Sequence, residues 1–310
     1  MQAARAEPPQ IIALFGPTAI GKTAVAVALA ERLRTRGEDP VAVSADALQV
    51  YAGLETLTGV ASTQEQRALE HRMVSFLPLD ATFSVGEYSR LAHAEIDGLL
   101  AAGRRPIVVG GTGLYLRAAL ADLDLRPAPV EGARERWTAR LQEHGPQALH
   151  AELARRAPWA AEEIDPSNAR RTIRALEALE AGELEPPEGP SQLWSSELRR
   201  PTLLAGLTME REALYARIDA RVEEIVAAGA EQEVRRAHAA GVSDTARKAL
   251  GFEQLLAGDV ETMKRRTRNY ARRQLAWMRK LSGVRAIDVT GRTADDVAAE
   301  IVGMKDSAAG

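Results

Sequence analysis

Five apolar residues, Ile11-Ile12-Ala13-Leu14-Phe15, run directly into Gly16-Pro17-Thr18-Ala19-Ile20-Gly21-Lys22-Thr23, and a second run, Ala24 to Leu33, rich in Ala, Val and Leu, follows. No other stretch of this chain narrows its possible folds so far. The octapeptide fits G-x-x-x-x-G-K-[ST], a loop that cradles phosphate. The first run predicts a buried strand and the second a helix. In that order, successive backbone N–H groups point at one anion, and the helix N-terminus adds its partial positive charge. Lys22 is then placed to reach a terminal phosphate, and the Thr23 hydroxyl to hold Mg²⁺. The loop predicts a polyphosphate or diphosphate ligand. It does not say which one, or what reaction follows.

Further strands are expected at Val41–Ser44, Pro106–Gly110 and Pro201–Leu207, with a last one at Val284–Val289. A helix is expected from Tyr88 to Ala102. Strands alternating with helices predict an α/β fold with a parallel sheet. From Asp122 to Gly182 the pattern is helical and rich in Ala, Arg and Glu, and Glu185–Pro190 reads as a loop or linker. The expected organisation is a phosphate-loop α/β core, 1–121 and 200–310, carrying a helical insertion, 122–199. The last five residues read as frayed.

The absence of cysteine excludes disulfides, thiolate zinc sites and cysteine nucleophiles. The first ten residues lack the apolar stretch of a signal peptide. No run approaches the roughly 18 apolar residues of a membrane helix. A soluble cytoplasmic protein is therefore expected. Its net charge of −3 is ordinary but unevenly distributed.

Three segments carry candidate chemistry. The second strand ends in Ser44-Ala45-Asp46-Ala47-Leu48-Gln49-Val50-Tyr51. Ligands of parallel sheets bind at the carboxyl ends of the strands, so Asp46 should face the same crevice as the phosphate loop. A carboxylate there can take a proton from a nucleophile or hold Mg²⁺ through water; it can equally cap a helix. The third strand ends in Gly110-Gly111-Thr112-Gly113, where glycines permit either close backbone approach to a ligand or a tight turn. Between Glu261 and Asp288 there is no acid, while Lys264, Arg265, Arg266, Arg268, Arg272, Arg273, Arg279 and Lys280 are basic. At about 100° per residue this predicts a helix with a basic front. Met263, Tyr270, Trp277, Met278 and Leu281 form its apolar back. Such a front can be merely solvated or meet an acidic helix, but its length favours a polyanion. Smaller clusters occur at Arg170, Arg171 and Arg174 and at Arg217 and Arg221. The five histidines show no metal-ligand spacing.

Together the segments resemble the tRNA isopentenyltransferase (tRNA dimethylallyltransferase) family. The markers are G-P-T-A-x-G-K-T, D-x-x-Q-V-Y, V-G-G-T-G-L-Y, the R-x-I-R-A-L-E helix at Arg171–Glu177 and Y-A-R-R-Q-L-A-W-M-R at Tyr270–Arg279. Their order and spacing carry the resemblance over about Ile11 to Arg279. It implies transfer of a dimethylallyl group from dimethylallyl diphosphate to N6 of an adenosine beside the anticodon, with Mg²⁺. Gly16–Thr23 would hold the prenyl diphosphate, Asp46 would act as general base, Thr112 would help at the reacting centre and Arg221 would hold the leaving group. The tRNA anticodon stem-loop would meet Asp46, Ala47, Leu48 and Gln49, then Arg134, Arg170, Arg171 and Arg174. It would also meet Arg247, Lys248 and Gly251, then Tyr270, Arg272, Arg273, Gln274 and Trp277. The chain departs from the family pattern at Ala47, where Ser is usual, and at Leu57–Ala61, where a G-T-A-K stretch is expected. It departs again at Ser75, where an acid is expected, and at Ile20, where a small residue is common.

The residues leave two other functions open. One is a phosphate-loop small-molecule kinase, with Asp46 binding a hydroxyl acceptor. The other is a non-catalytic RNA-binding protein.

Overall fold

A computed structural model describes residues 9–125, 130, 132–186 and 192–309. β1 (Ile11–Phe15) is buried along its whole length, as befits a strand with both faces covered. The phosphate loop follows and opens α1 (Lys22–Arg34). Then come β2 (Pro40–Ser44), two short helices α2 (Glu55–Thr58) and α3 (Thr63–Ala68), and a two-residue strand β3 (His71–Arg72). α4 (Val85–Ala101) starts with a capping box in which the Ser84 side chain accepts from the Glu87 N–H and Glu87 answers on the Ser84 N–H. β4 (Arg105–Gly110) and α5 (Gly113–Leu120) complete this half.

The helical segment follows as α6 (Ala133–Arg156), α7 (Pro158–Glu162) and α8 (Ala169–Glu180). α6 is broken at Gly145, whose φ of 77° and ψ of 171° are non-helical and precede Pro146. The chain returns to the sheet as β5 (Thr202–Thr208). It then continues through α9 (Arg211–Ala227), α10 (Ala230–Ala240), α11 (Phe252–Leu256), α12 (Val260–Met278), β6 (Arg285–Asp288) and α13 (Ala294–Ala309).

All six strands are parallel, in the order β3-β2-β4-β1-β5-β6. The register decides where the chemistry sits. Phe15, the last residue of β1, lies level with Gly110, the last of β4, and Ser44 of β2 lies level with Val109. The phosphate loop, the Asp46 turn and the glycine turn therefore leave the sheet along one edge. Below them, Ile12 and Leu14 of β1, Leu29 and Leu33 of α1, Leu203 and Ala205 of β5 and Ile301 of α13 form one apolar core. Each leucine or isoleucine among them contributes about 1.5–3 kcal/mol by leaving water.

The chain divides into two compact units, Met1–Leu123 with Leu193–Gly310, and Asp124–Gln192. The second unit has its own core of Trp137, Leu149, Leu153, Ile173 and Leu176. Leu193–Arg199, read from the sequence as insertion, falls in the first unit. The α/β fold with a parallel sheet is as expected, and β3 is too short to leave a sequence signal. The C-terminus differs from expectation: α13 runs to Ala309, and Asp306 pairs with Arg36 at 2.7 Å. Residues 187–190 of the expected linker lie outside the described residues. Among the described residues no helix is long and apolar enough to cross a membrane.

Candidate active site

The phosphate loop holds a shape that costs energy. Ala19 has φ 63° and Gly21 has φ 99°. The left-handed region costs a residue with a Cβ about 1–3 kcal/mol, and such strain collects where a loop must aim its backbone. Ile20 is buried beneath the loop, in the core with α1. The Lys22 ammonium folds back to donate to the carbonyls of Gly16 (3.0 Å) and Pro17 (2.9 Å). Burial pulls its pKa down to about 8, against the opposing pull of the Asp46 charge. Lys22 is thus a desolvated cation held over the loop, and Asp46 is close enough to feel it. Thr23 is half-buried in the first turn of α1.

Asp46 does not cap a helix. Its Oδ1 accepts from the Leu48 N–H at 3.0 Å, a local turn. Ala47, Leu48 and Gln49 are half-buried beside it. Gln49 looks inward: its Oε1 accepts from Ser44 Oγ (2.9 Å), and its Nε2 donates to the carbonyls of Thr58 (3.3 Å) and Gly59 (3.1 Å). The segment that departs from the G-T-A-K pattern is therefore tied to the D-x-x-Q turn by Gln49. Ser75, at the other departure, sits at φ 48° with its Oγ buried and unpartnered.

The glycines after β4 serve the protein rather than a ligand. A Cβ on Gly110 would overlap the Ala45 carbonyl, one on Gly111 the Gln274 amide, and one on Gly113 the Trp277 ring. None of the three has positive φ, so the requirement is space. Of the two readings left open, the geometry shows a turn packed by protein: Ala45 fills the room beside Gly110, and Gln274 and Trp277 of α12 fill that beside Gly111 and Gly113. Thr112, between them, stands at the N-terminus of α5 with its Oγ1 3.2 Å from the Tyr270 hydroxyl. Tyr270 is pushed up to about 12, first by burial and then by the Asp46 charge. Lys22, Asp46, Tyr270 and Thr112 thus form one neighbourhood.

α12 is the two-sided helix expected, with amendments. Arg265, Arg266, Arg272, Arg273, Arg279 and Lys280 are exposed. Arg268 instead pairs with Asp219 of α9 at 3.1 Å, and Lys264 with Glu223 (2.8 Å) and Glu261 (2.9 Å). The acids missing from the local sequence come partly from another helix. The buried stripe is Met263, Thr267, Ala271, Gln274 and Met278. Gln274, expected to meet RNA, is only 4% exposed, and its amide is spent on Thr18 and Gly111. Trp277 packs on Gly113 and stacks against Trp194 with ring centroids 4.7 Å apart.

Arg217 and Arg221 diverge. The Arg217 guanidinium lies beside Gly21 of the phosphate loop, whereas that of Arg221 lies beside Gly59 and pairs with Glu224 at 3.4 Å. Sequence spacing could not separate them. Arg247 and Lys248 are exposed, and with Asp244, Glu253 and Arg266 they line a cleft of about 380 Å³. Gly251 is buried at φ 100° against Met263, so it shapes the chain and is not available as an RNA contact.

In the second unit, Arg170 and Arg171 are exposed at the start of α8, where Asn168 accepts from the Arg171 N–H at 3.2 Å. Arg134 forms a two-bond fork on Glu177 (2.7 and 2.9 Å), and Arg174 reaches the same carboxylate at 3.4 Å. Glu177 is fully buried, so it holds two guanidiniums in place. The sequence singled out the arginines but not this organiser.

The fold and site define a parallel α/β protein with a phosphate-type loop at the carboxyl edge of its sheet and a carboxylate at the same edge, after β2, with β4 between the two. The chain belongs to the IPP transferase family, whose model matches residues 49–281, and residues 9–84 also match the Isopentenyl transferase model. It is 42% identical over 283 residues to the tRNA dimethylallyltransferase of Thermobifida fusca, covering 87% of each chain. Among solved structures it is similar to the full-length tRNA isopentenylpyrophosphate transferase of Bacillus halodurans, with a TM-score of 0.68, 31% identity and coverage of 96% and 97%. The corresponding enzyme of Staphylococcus epidermidis gives a TM-score of 0.68 at 29% identity, covering 96% of this chain and 99% of that one.

Proposed function

We infer that this chain transfers a dimethylallyl group from dimethylallyl diphosphate to N6 of the adenosine adjacent to the tRNA anticodon, releasing diphosphate. The observation that carries the reading is the placement of Lys22, on the loop after β1, and Asp46, just after β2 with β4 between the two strands, within electrostatic reach of each other. A diphosphate on the first then brings its allylic carbon towards a nucleophile held by the second.

An exocyclic adenine amine is a weak nucleophile because its lone pair is delocalised into the ring. It becomes acidic only as the new N–C bond forms. At that moment N6 bonds to the allylic carbon, the C–O bond to diphosphate breaks, and the N6 proton passes to Asp46. Lys22, the loop N–H groups and Arg217 meet the charge that grows on the departing diphosphate. Arg221 has the weaker geometry for that role, since its guanidinium is turned to Gly59 and Glu224. Thr112, hydrogen-bonded to Tyr270, orients the reacting groups. Mg²⁺ fits as an ion shared with the substrate. Among the described residues no cluster of three His or acidic side chains would hold it alone, and Thr23 offers one hydroxyl, so diphosphate oxygens would complete its shell. When bound it offsets negative charge on the leaving group.

The base must leave the anticodon-loop stack, which is cheaper from a single-stranded loop than from a duplex. The exposed arginines of α12, the Arg247–Lys248 cleft and the Arg134, Arg170, Arg171 and Arg174 surface of the second unit are suited to grip the phosphate backbone. Binding then weakens steeply with salt as counterions are released. Arg272→Glu should lower tRNA affinity about tenfold and reduce the salt slope by about 1–2; unchanged affinity in a filter-binding titration would remove the α12 front from the RNA site.

The deciding assay incubates the protein with dimethylallyl diphosphate, Mg²⁺ and unmodified tRNA, and follows prenylated adenosine and diphosphate release. ATP-dependent phosphorylation of a metabolite instead would mark a kinase, and tRNA binding without turnover a non-catalytic binder. Asp46→Ala should cut turnover at least ~10²-fold with tRNA affinity nearly unchanged. Turnover equal to the parent would take Asp46 out of the mechanism.

A further inference from the structure

Gln274 is a buried glutamine in the middle of an arginine-rich helix, and both ends of its amide are committed. Its Oε1 accepts from the Thr18 N–H at 2.9 Å, and its Nε2 donates to the Gly111 carbonyl at 2.8 Å. Burying an amide costs free energy unless every partner is supplied. A methionine would fill much the same volume without that cost. What the amide adds is a fixed spacing between two loops that have no covalent reason to keep it: the phosphate loop after β1 and the turn after β4. The turn is shaped to receive it, since any side chain on Gly111 would occupy the place of the Gln274 nitrogen and lie 3.0 Å from the Gly16 carbonyl. The Thr18 N–H is also withdrawn from the loop's anion-binding set. The cradle then relies on the remaining N–H groups and Lys22.

We propose that Gln274 is a positioning residue that sets the diphosphate cradle against Thr112, and that it does not contact RNA. Thr112 follows Gly111 directly, so the Gln274 bridge fixes how far the seated diphosphate lies from the reacting centre. The outer face of the same helix carries Arg272 and Arg273. RNA docking and diphosphate seating are thereby joined through one rigid element. The inference rests on the transferase reading for its substrate.

The test uses full-length Gln274→Met and Gln274→Glu beside the parent. Four quantities are read: KM for dimethylallyl diphosphate, kcat, the Kd of inorganic diphosphate by calorimetry, and the Kd of an unmodified anticodon stem-loop. Gln274→Met should raise KM and the inorganic diphosphate Kd by about tenfold, the worth of a lost hydrogen-bond pair, while RNA affinity stays within about twofold. Gln274→Glu keeps the Thr18 bond but sets a carboxylate against the Gly111 carbonyl, so its loss should be larger near pH 8. It should recover relative to the parent as pH falls towards about 6, because burial raises the carboxyl pKa and the protonated acid donates to Gly111 again. Gln274→Met should show no such recovery. Weakened RNA binding with unchanged diphosphate affinity would overturn the proposal and make Gln274 an RNA contact. A fall in thermal midpoint alone, or a glutamate variant with no pH recovery, would overturn it as well. Should Gln274→Met fail to fold, the glutamate variant decides; its failure to fold even at low pH would count against the role. If the parent transfers no prenyl group yet the variants still lose inorganic diphosphate as described, the transferase reading fails and the positioning role stands.

Discussion

Two glycine-bearing turns leave the sheet side by side, after β1 and after β4, and Gly21 of the first serves in the opposite way to the glycines of the second. In the first, Gly21 sits at φ 99° with only the Arg217 guanidinium close to where a side chain would begin. Its freedom is conformational: it lets the loop turn into the first residue of α1. In the second, Gly110, Gly111 and Gly113 have ordinary φ and are crowded by Ala45, Gln274 and Trp277. Their freedom is steric and it admits other parts of the chain. A run of glycines at a strand end is therefore not by itself a sign of a ligand; the sign is what occupies the space beside it.

The comparison breaks most sharply at Lys22. Lys22→Met should lower kcat/KM about 10²–10³-fold, measured by diphosphate release, with the thermal midpoint held because a desolvated charge is replaced by an apolar stem. A large loss of stability would mean that the lysine serves the fold. Next in size, Gly111→Ala should cost about 1–3 kcal/mol of stability by overpacking, read as a lower denaturation midpoint. If it leaves the midpoint intact and abolishes diphosphate binding, the second turn is a ligand cradle after all.

The smallest effect sharpens the first turn. In the proposed role Lys22 binds diphosphate as the cation, and burial pulls its pKa in the free protein down to about 8. KM for the diphosphate should therefore climb by up to about tenfold for each pH unit above that value. Lys22→Arg should abolish the inflection, and a flat profile in the parent would place the ammonium away from the anion. The sign for stability follows separately. The unfolded ammonium titrates at 10.5, so between about 8 and 10.5 the unfolded chain holds the extra proton and the Lys22 contribution to stability rises with pH.

The sheet was largely legible because a strand buried on both faces writes a continuous apolar run, as Ile11–Phe15 does, and because Lys22–Arg34 carries its buried Val25, Ala26, Leu29, Ala30 and Leu33 at helical spacing within one segment. The basic front of α12 was legible for the same local reason. Its buried face was legible only in part: Met263, Met278 and Leu281 are buried as expected. The stripe Met263, Thr267, Ala271, Gln274, Met278 contains only two large apolar side chains, so hydrophobic periodicity drew the back of the helix through Tyr270 and Trp277 instead. Lys264 has one local partner in Glu261, but its other acid, Glu223, and the Asp219 that pairs with Arg268 lie 41 and 49 residues away on α9, beyond any local pattern.

The amino-acid order alone determined that β1, a phosphate-type loop and α1 follow one another in a parallel sheet, that Asp46 closely follows the next strand of the chain, and that one late helix is basic on its outside. These are short-range matters of periodicity and turn chemistry. Folding alone decided that Gln274 and Trp277 fill the glycine turn, that Arg217 rather than Arg221 stands beside the phosphate loop, and that a buried Glu177 gathers Arg134 and Arg174. Each depends on distances between segments far apart in the chain, which packing sets and sequence spacing does not encode.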